Sequence, residues 1–280
     1  MRFLTALFLW LVTTALLAVT VPSLWLQHNV IDQAGYSVFS AAAAKDPLLQ
    51  HAVAGELTTQ VQALAARRGA QVDVSMVRRV ANGYTAGESF PEQFARANEI
   101  AHTWVFTDRV ARDSRGWVVD LAPMLSDASF RDTLSDFDIE VPQTFTVPIT
   151  ASPPAGLQPG RLRLAAVWGP WLSIGVAALA GVFALLTLAA ARSRGKAFAA
   201  LGVSALLVGA AGWAGLEVSR RYVNEALNHT TGDIRQIADV MVGHAIDSLH
   251  HWLNLTLAGG AGLVVFGVIV AMLGGLLRRG

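Results

Sequence analysis

Three polar side chains in the last fifth of the sequence have the types and spacing of a metal site. His244, Asp247 and His251 follow one another at intervals of three and four residues, so on a helix they fall within a sector of about 60°. Two imidazoles and a carboxylate can bind a zinc-type ion and leave an open position for water or substrate. Because such sites usually take ligands from a second element, a solvated polar helix face is the preferred interpretation. No cofactor is predicted.

The rest of the sequence offers few other groups with recognisable chemistry. It contains no Gly-x-Ser-x-Gly, His-Glu-x-x-His, phosphate-binding loop or Gly-x-Gly-x-x-Gly. An aspartate-rich stretch between residues 108 and 138 lacks EF-hand spacing and indicates a solvated acidic face rather than a calcium or acid–base site. His51 and His102 lie on predicted helices without a partner. The chain has no cysteine, which excludes disulfides, thiolate metal sites and cysteine nucleophiles.

Four uncharged apolar stretches are long enough to cross a lipid bilayer, whose hydrocarbon core of roughly 30 Å needs about 20 helical residues. The chain is 53% hydrophobic and only 15% charged. The predicted transmembrane helices are residues 1–26, 164–190, 197–216 and 253–277. The apolar run of the first exceeds that of a signal peptide, so an uncleaved anchor is preferred over a cleaved leader. Between their ends the spans contain no ionisable side chain, which argues against an ion-coupled transporter or intramembrane protease.

The distribution of charge predicts the orientation of the spans. Residues 1–2, 191–196 and 278–280 contain six lysines and arginines and no acid, whereas all 20 acids and seven histidines fall in 27–163 and 217–252. Because cytoplasmic loops are enriched in basic residues, both termini are predicted to be cytoplasmic and both long segments to be extracytoplasmic. Tryptophans favour membrane interfaces. Five mark the predicted outer ends of the spans, namely Trp25, Trp168, Trp171, Trp213 and Trp252.

The long segment 27–163 has the size of one domain, and its patterns predict mostly helix with a small sheet. Asp46 and Pro47 begin a helix whose apolar stripe is Leu49, Val53, Leu57, Val61 and Leu64. A shorter helix follows Asp73, and Ser89 to Glu92 form a predicted capping box for a third. Strands are predicted at 117–121 and within 139–149, before a proline-rich linker at 151–160. The expected fold is therefore mainly α, with four transmembrane helices and a mostly helical α+β extracytoplasmic domain.

The second polar segment, residues 217–252, is predicted to be helical. Asp233 can begin a helix whose apolar stripe packs on the domain or the membrane surface. That stripe is Ile234, Ile237, Met241, Ala245, Leu249 and Trp252. Small residues also line the last two spans and favour close helix packing within one monomer over oligomerisation. They are Gly209, Gly212 and Gly215 in the third span, and Gly267, Ala271 and Gly275 in the fourth.

The layout resembles a family of uncharacterised actinobacterial four-span integral membrane proteins with an extracytoplasmic domain. The resemblance rests on an N-terminal span, the segments Val30-Ile-Asp-Gln-Ala-Gly-Tyr36 and Asp46-Pro-Leu-Leu-Gln-His-Ala-Val53, and the short strand Val118-Val-Asp-Leu121. It covers about 30 residues by local sequence and most of the chain by layout. It implies a multi-pass protein of a bacterial plasma membrane and a two-part outer region, but no activity, cofactor or catalytic residue.

Three functions are compatible with these patterns. The preferred one is a non-enzymatic envelope protein whose extracytoplasmic domain binds a protein, lipid or wall partner, since catalytic motifs are missing and the spans are chemically inert. The second is a metal-dependent envelope hydrolase that uses the His244, Asp247 and His251 face. The third is the sensory subunit of a membrane complex. The expected partners are the lipid bilayer and a protein of the membrane or envelope, and a net charge of +1 excludes an electrostatic case for nucleic acid.

Overall fold

The computed structural model describes residues 2–67, 69, 71–107, 118–128, 130–131, 143–148, 160–228 and 232–276. The chain divides into two compact units. The first, called the membrane unit, contains Met1–His28, Val167–Val223 and Ala245–Gly280. The second, called the extramembrane unit, contains Asn29–Ala166 and Asn224–His244.

Nearly all described elements are helices, and they follow one another along the chain in a simple order. They are α1 (Arg2–Leu26), a π-helix (Gln27–Ile31), α2 (Gln33–Ala43), α3 (Pro47–Arg67), α4 (Val74–Thr85), α5 (Phe90–Phe106), β1 (Val118–Asp120), α6 (Ala122–Leu125), β2 (Thr146–Pro148), α7 (Arg163–Ala190), α8 (Arg194–Leu227) and α9 (Gly232–Leu276).

Four of these helices are long and apolar enough to cross a membrane, which confirms a multi-pass membrane protein. The qualifying segments are Leu4–Ile31, Arg163–Ala190, Arg194–Glu225 and Gly232–Gly274. The last two helices extend well beyond the predicted spans, with 34 residues in α8 and 45 in α9. Neither helix contains a proline, so each helical backbone runs without interruption through polar and apolar sequence.

Glycines bring the backbones of α8 and α9 into direct contact within the membrane unit. A Cβ atom added to Gly202 would lie 2.6 Å from the carbonyl oxygen of Gly260, and one added to Gly260 would lie 2.9 Å from that of Gly202. Gly195 and Gly267 also face backbone atoms of the opposite helix. Spacings of seven residues keep these glycines on one side of each helix. The predicted role of Gly267 in close packing is confirmed, whereas Gly215 has no atom within 4 Å of an added Cβ.

Buried hydroxyl groups connect other helices of the membrane unit. Thr14 and Ser204 share a hydrogen bond of 2.7 Å between their hydroxyl oxygens, and the indole of Trp10 donates to the carbonyl oxygen of Ala200 over 2.8 Å. Thr13, buried completely, lies 3.5 Å from the hydroxyl of Thr187. In hydrocarbon these bonds replace those that water would supply, so they help to fix how α1 packs against α7 and α8.

Tryptophans at the predicted outer ends of the spans lie in contrasting environments. The side chains of Trp168 and Trp171 are 57% and 73% exposed, as expected for rings that meet lipid headgroups. Trp25 is buried instead, and its indole donates to the hydroxyl of Ser248 over 3.1 Å. The indole N–H of this buried ring therefore finds its hydrogen-bond acceptor in the protein and not at the membrane interface.

The extramembrane unit has a helical core whose main stripe was predicted correctly. Every member of the α3 stripe from Leu49 to Leu64 is buried. Asp46 accepts a hydrogen bond from the backbone N–H of Leu48 over 2.8 Å, and Asp73 caps α4 by accepting from Ser75 and Met76. Both predicted helix starts are therefore confirmed. Aromatic side chains complete the core, with Phe90, Phe130, Tyr84 and Phe94 all buried.

The prediction of an α+β domain is wrong. The described β-structure is one antiparallel ladder of three residue pairs, from Val118 opposite Pro148 to Asp120 opposite Thr146, and it forms no layer of its own. The alternating residues after Ile139 indicated a longer strand, of which only Thr146–Pro148 is observed among the described residues. The core is instead built by helices, because the buried positions of α3, α4 and α5 already cover one another.

The predicted capping box at the start of α5 is also wrong in its details. The helix begins at Phe90 as expected, but the Ser89 side chain makes no capping hydrogen bond. Glu92 forms an ion pair of 2.5 Å with Arg96 one turn later. Proline at the second helical position lacks an N–H group, so it reduces the need for a side-chain cap there.

The start of α9 completes the same core from a distant part of the sequence. Ile237, Val240 and Met241 pack against the cluster that contains Leu57, which confirms the predicted packing of Ile237 and Met241 on the domain. Gly55 of α3 lies close to the first turn of α9, since a Cβ atom added there would lie 2.6 Å from a carboxylate oxygen of Asp233. Two segments separated by more than 100 residues therefore share one core.

Candidate functional site

The three residues of the predicted metal face lie in different environments along α9. His244 is partly buried, and its ring lies 5.1 Å from that of Phe39 at an angle of 50°. Asp247 and His251 are exposed. Within the described ranges, no three His, Asp or Glu side chains form a group that could hold a metal ion. Because His244 is partly buried and contacts Phe39, the predicted solvated face does not describe this residue. The metal site stays a prediction without structural support.

His250, which the sequence patterns did not single out, makes a closer contact than its neighbours. Its ring stacks on the indole of Trp213 with centroids 3.7 Å apart and planes 15° from parallel. The indole N–H donates to the side-chain oxygen of Asn254 over 3.2 Å. Both contacts lie within the membrane unit and join α8 to α9. No sequence period could indicate them, since each residue lies on a different helix.

A second histidine, His102, lies within the main aromatic contact group of the extramembrane unit. This group, called the histidine–aromatic cluster, consists of Tyr36, Phe39, His102, Phe106 and His244. Four of its members come from two helices, and His244 comes from α9. Asp32 caps α2 by accepting from the N–H of Gly35, which places Tyr36 and Phe39 one turn apart. His102 and Phe106 are likewise one turn apart on α5, and α2 packs against α5.

The imidazole of His102 is held on both faces and at one nitrogen. Its centroid lies 4.8 Å from that of Tyr36 and 4.5 Å from that of Phe106, with planes within 30° of parallel. Its Nε2 lies 2.9 Å from the carbonyl oxygen of Val30, so the nitrogen must carry the proton and donate. Val30 belongs to the π-helix that follows α1. His102 therefore links α5 to the segment leaving the first span.

Burial controls the protonation of two members of the cluster. Desolvation lowers the pKa of His102, opposed by the carbonyls of Val30 and Ile31 and by the charges of Asp32 and Glu99. Burial also raises the pKa of the Tyr36 phenol, opposed by the Ser40 hydroxyl. Both rings are therefore favoured in their uncharged forms. The cluster is suited to packing and positioning, and His102 donates a hydrogen bond to the backbone carbonyl of Val30.

The aspartate-rich stretch yields one described side-chain contact, in the core beside α4. The Tyr84 hydroxyl donates to the side-chain oxygen of Gln93 over 2.6 Å, and the amide of Gln93 donates to Asp127 over 3.2 Å. Desolvation and the nearby Asp127 charge raise the pKa of Tyr84. The described contacts of Asp127 thus support a structural role. Asp108, Asp113, Asp132, Asp136 and Asp138 lie outside the described residues.

Comparison with known proteins adds no assignment to these features. No family model matches the sequence, no curated protein matches it, and no solved structure matches the fold. The likeness to an actinobacterial family therefore stays a prediction from local sequence. Any proposal about function must stand on the geometry of the chain itself.

Proposed function

We propose that this chain is a non-enzymatic protein of a bacterial plasma membrane that holds a helical domain outside the cytoplasm, where the domain binds another component of the envelope. The observation that carries the proposal is the shared core of the extramembrane unit. Residues of α3 and of the start of α9 bury their side chains against the same cluster. Because both parts of this core belong to one folded unit, we expect the segments before α7 and after α8 to lie on one side of the membrane.

This arrangement supports an even number of crossings. A chain that crosses the membrane outward along α1, inward along α7 and outward again along α8 has both polar segments on the same side of the membrane. The distribution of basic residues then favours the cytoplasmic side for Arg192, Arg194 and Lys196, which have no acidic neighbour in their loop. The proposed extracytoplasmic location follows from these two arguments together.

Partner binding is supported by apolar side chains that the domain leaves uncovered. Val38 and Leu48 are 72% and 60% exposed, although neighbours such as Phe39 and Leu49 are buried. On α2 the exposed positions Ala34, Val38 and Ala42 recur every four residues, which places them on one helix face. We propose that a protein of the envelope covers this face.

Cysteine labelling tests the orientation directly, since the native chain has none. A cysteine at Ser75, which is exposed on α4, should react with a membrane-impermeant maleimide in intact cells. One at Arg192, exposed between α7 and α8, should react only after permeabilisation. The reverse pattern would contradict the proposed orientation while leaving the four spans intact.

Photocrosslinking tests the partner. A photoreactive residue at Val38 should give one discrete crosslinked species in cells, and the same residue at Arg79, exposed on α4, serves as the matched control. Val38→Asp should remove co-purification of the crosslinked protein without lowering the yield of the membrane protein. An unchanged co-purification with Val38→Asp would contradict a role of this face in binding.

A further inference from the structure

The C-terminal part of α8 carries large side chains that are exposed where the helix emerges from its apolar run. Val218 and Tyr222 are 58% and 70% exposed, and Arg221 between them is also exposed. Positions 218, 221 and 222 lie on one face of a helix. Arg220 forms an ion pair with Glu217 over 3.3 Å, whereas Arg221 has no ion-pair partner among the described residues. These three side chains are called the α8 headgroup face.

This face points away from α9, which is one of the two helices that contact α8. At about 100° per residue, Tyr222 lies roughly 200° around the helix from Gly202, which contacts α9. Four exposed residues of the span lie within a sector of about 100° that includes Tyr222, although nearer the start of α8 the same side meets α1 through Ser204. They are Val203, Leu207, Ala211 and Ala214. The α8 headgroup face lies about 21 Å along the helix beyond the contact of Ser204 with α1, and there its side chains are exposed.

The length of the helix sets the depth of the face in the bilayer. With Lys196 at one headgroup layer, Val218 lies about 33 Å and Tyr222 about 39 Å further along the helix, from a rise of 1.5 Å per residue. The hydrocarbon core is roughly 30 Å thick and the whole bilayer about 40–45 Å. Both residues therefore reach the opposite headgroup layer, where aromatic and basic side chains are favoured.

We propose that the α8 headgroup face binds phospholipid headgroups, with the Arg221 guanidinium contacting a lipid phosphate. Arginine matches phosphate through paired N–H donors. The Tyr222 ring would lie beside the ester region with its hydroxyl toward water, and Val218 would meet the upper acyl chains. The inference rests only on the four spans, so it does not depend on the orientation or partner proposed above.

Spin labelling of single cysteines tests the depth in vesicles of phosphatidylcholine and phosphatidylglycerol. A nitroxide at Val218 or Tyr222 should be more accessible to oxygen and less accessible to a water-soluble nickel chelate than one at Ser75. A label at Leu207 supplies the lipid-exposed control. Nickel accessibility equal to that at Ser75 would place the face in water, and poor access to both reagents would show that protein covers it. Either result overturns the proposal.

Lipid competition tests the arginine. The reconstituted protein should retain phosphatidylglycerol about fivefold better than phosphatidylcholine per unpaired arginine at the surface, as measured by native mass spectrometry. Arg221→Gln should abolish that preference, and Arg221→Lys should restore most of it. Arg96→Gln, which alters an exposed arginine paired on α5, is the matched control. A preference unchanged by Arg221→Gln would show that the headgroup contact does not exist.

Discussion

The helices within each of the two units are held together by different kinds of contact. In the membrane unit, α8 and α9 meet through Gly202 and Gly260, where even one methyl group would lie within 3 Å of a backbone atom. In the extramembrane unit, large side chains are buried completely or almost completely, including Phe90, Phe130 and Leu49. The first contact is therefore made by backbones and the second by aromatic and aliphatic side chains.

The contrast follows from the solvent around each unit. Water drives the extramembrane unit to bury apolar surface, and each large side chain contributes in proportion to the area removed from water. Lipid tails are as apolar as leucine, so helices in a membrane gain little from burying such side chains and associate through close packing and hydrogen bonds instead. Thr14 and Ser204 supply such a bond between α1 and α8.

The largest effect is expected for truncation of a core aromatic residue. Phe90→Ala should destabilise the extramembrane unit by about 3–5 kcal/mol, because it removes a buried ring and leaves a cavity. Val38→Ala, at a position that is 72% exposed, should change stability by less than about 0.5 kcal/mol. Denaturant unfolding in detergent, followed by circular dichroism, measures both. Loss of the membrane helices in the same transition would show that the two units do not unfold separately.

A smaller but sharper effect is expected for adding one methyl group between α8 and α9. Gly260→Ala should destabilise the membrane unit by about 1–3 kcal/mol, because the new Cβ meets the backbone of Gly202 and the helices must separate. Gly259→Ala is the control, since an added Cβ there has nothing within 4 Å. It should stabilise the helix by up to about 1 kcal/mol, because alanine is the better helix former.

Resistance of the helix pair to unfolding by sodium dodecyl sulfate measures the two alanine variants side by side. If Gly260→Ala is as stable as Gly259→Ala, the two helices can move apart without loss, and the contrast between the units fails. If both variants are destabilised equally, the glycines are needed for their backbone flexibility and not for the contact between the helices.

These examples show how far the sequence could predict the structure. Leu49 to Leu64 were identified correctly because a helix half in water repeats its apolar residues with the helical period. The apolar length of α8 and α9 predicted two spans, but hydropathy is uniform around a span and cannot indicate which glycines meet. Gly195, Gly202 and Gly260 were missed for that reason, although Gly195 and Gly202 are seven residues apart, as are Gly260 and Gly267.

The candidate sites divide in the same way. Spacing alone placed His244, Asp247 and His251 on one side of a helix, yet contacts with other helices decide their environments. His244 contacts Phe39 from α2, and the neighbouring His250 contacts Trp213 from α8. The predicted strand lengths were wrong for a related reason. Thr146 to Pro148 pair with only three residues, and alternation cannot predict how many partners a strand will find.

His102 provides a test of packing that depends on pH and belongs to the extramembrane unit alone. Burial lowers its pKa below the ordinary value of 6.5 for histidine in the folded state. The unfolded chain therefore binds the proton more tightly, and stability present above about pH 6.5 should be lost as the pH falls toward the folded pKa. His102→Gln keeps a donor for the Val30 carbonyl but cannot titrate.

Denaturant midpoints between pH 7 and pH 5 compare the wild type with His102→Gln. The wild type should lose more stability than the variant over this range, and His51→Gln, which alters an exposed histidine, should behave as the wild type does. The difference should be smaller than the effect of Gly260→Ala. Parallel pH profiles for the wild type and His102→Gln would show that the imidazole is protonated without cost, contrary to its burial between two rings.

The smallest effects are expected on α9, where His244 belongs to the extramembrane unit and Asp247 and His251 belong to the membrane unit. His244→Ala should cost about 0.5–1.5 kcal/mol, because it removes the ring contact with Phe39. Asp247→Ala and His251→Ala should each stay within about 0.5 kcal/mol, because both side chains are exposed. Denaturant unfolding and zinc analysis of the purified variants measure stability and metal content together.

A metal site would make the three residues act as one, so every single variant would then lose the same ion and nearly the same stability. Unequal stability losses without any bound ion instead mean that the burial of each side chain, partial for His244 and absent for Asp247 and His251, determines what it contributes.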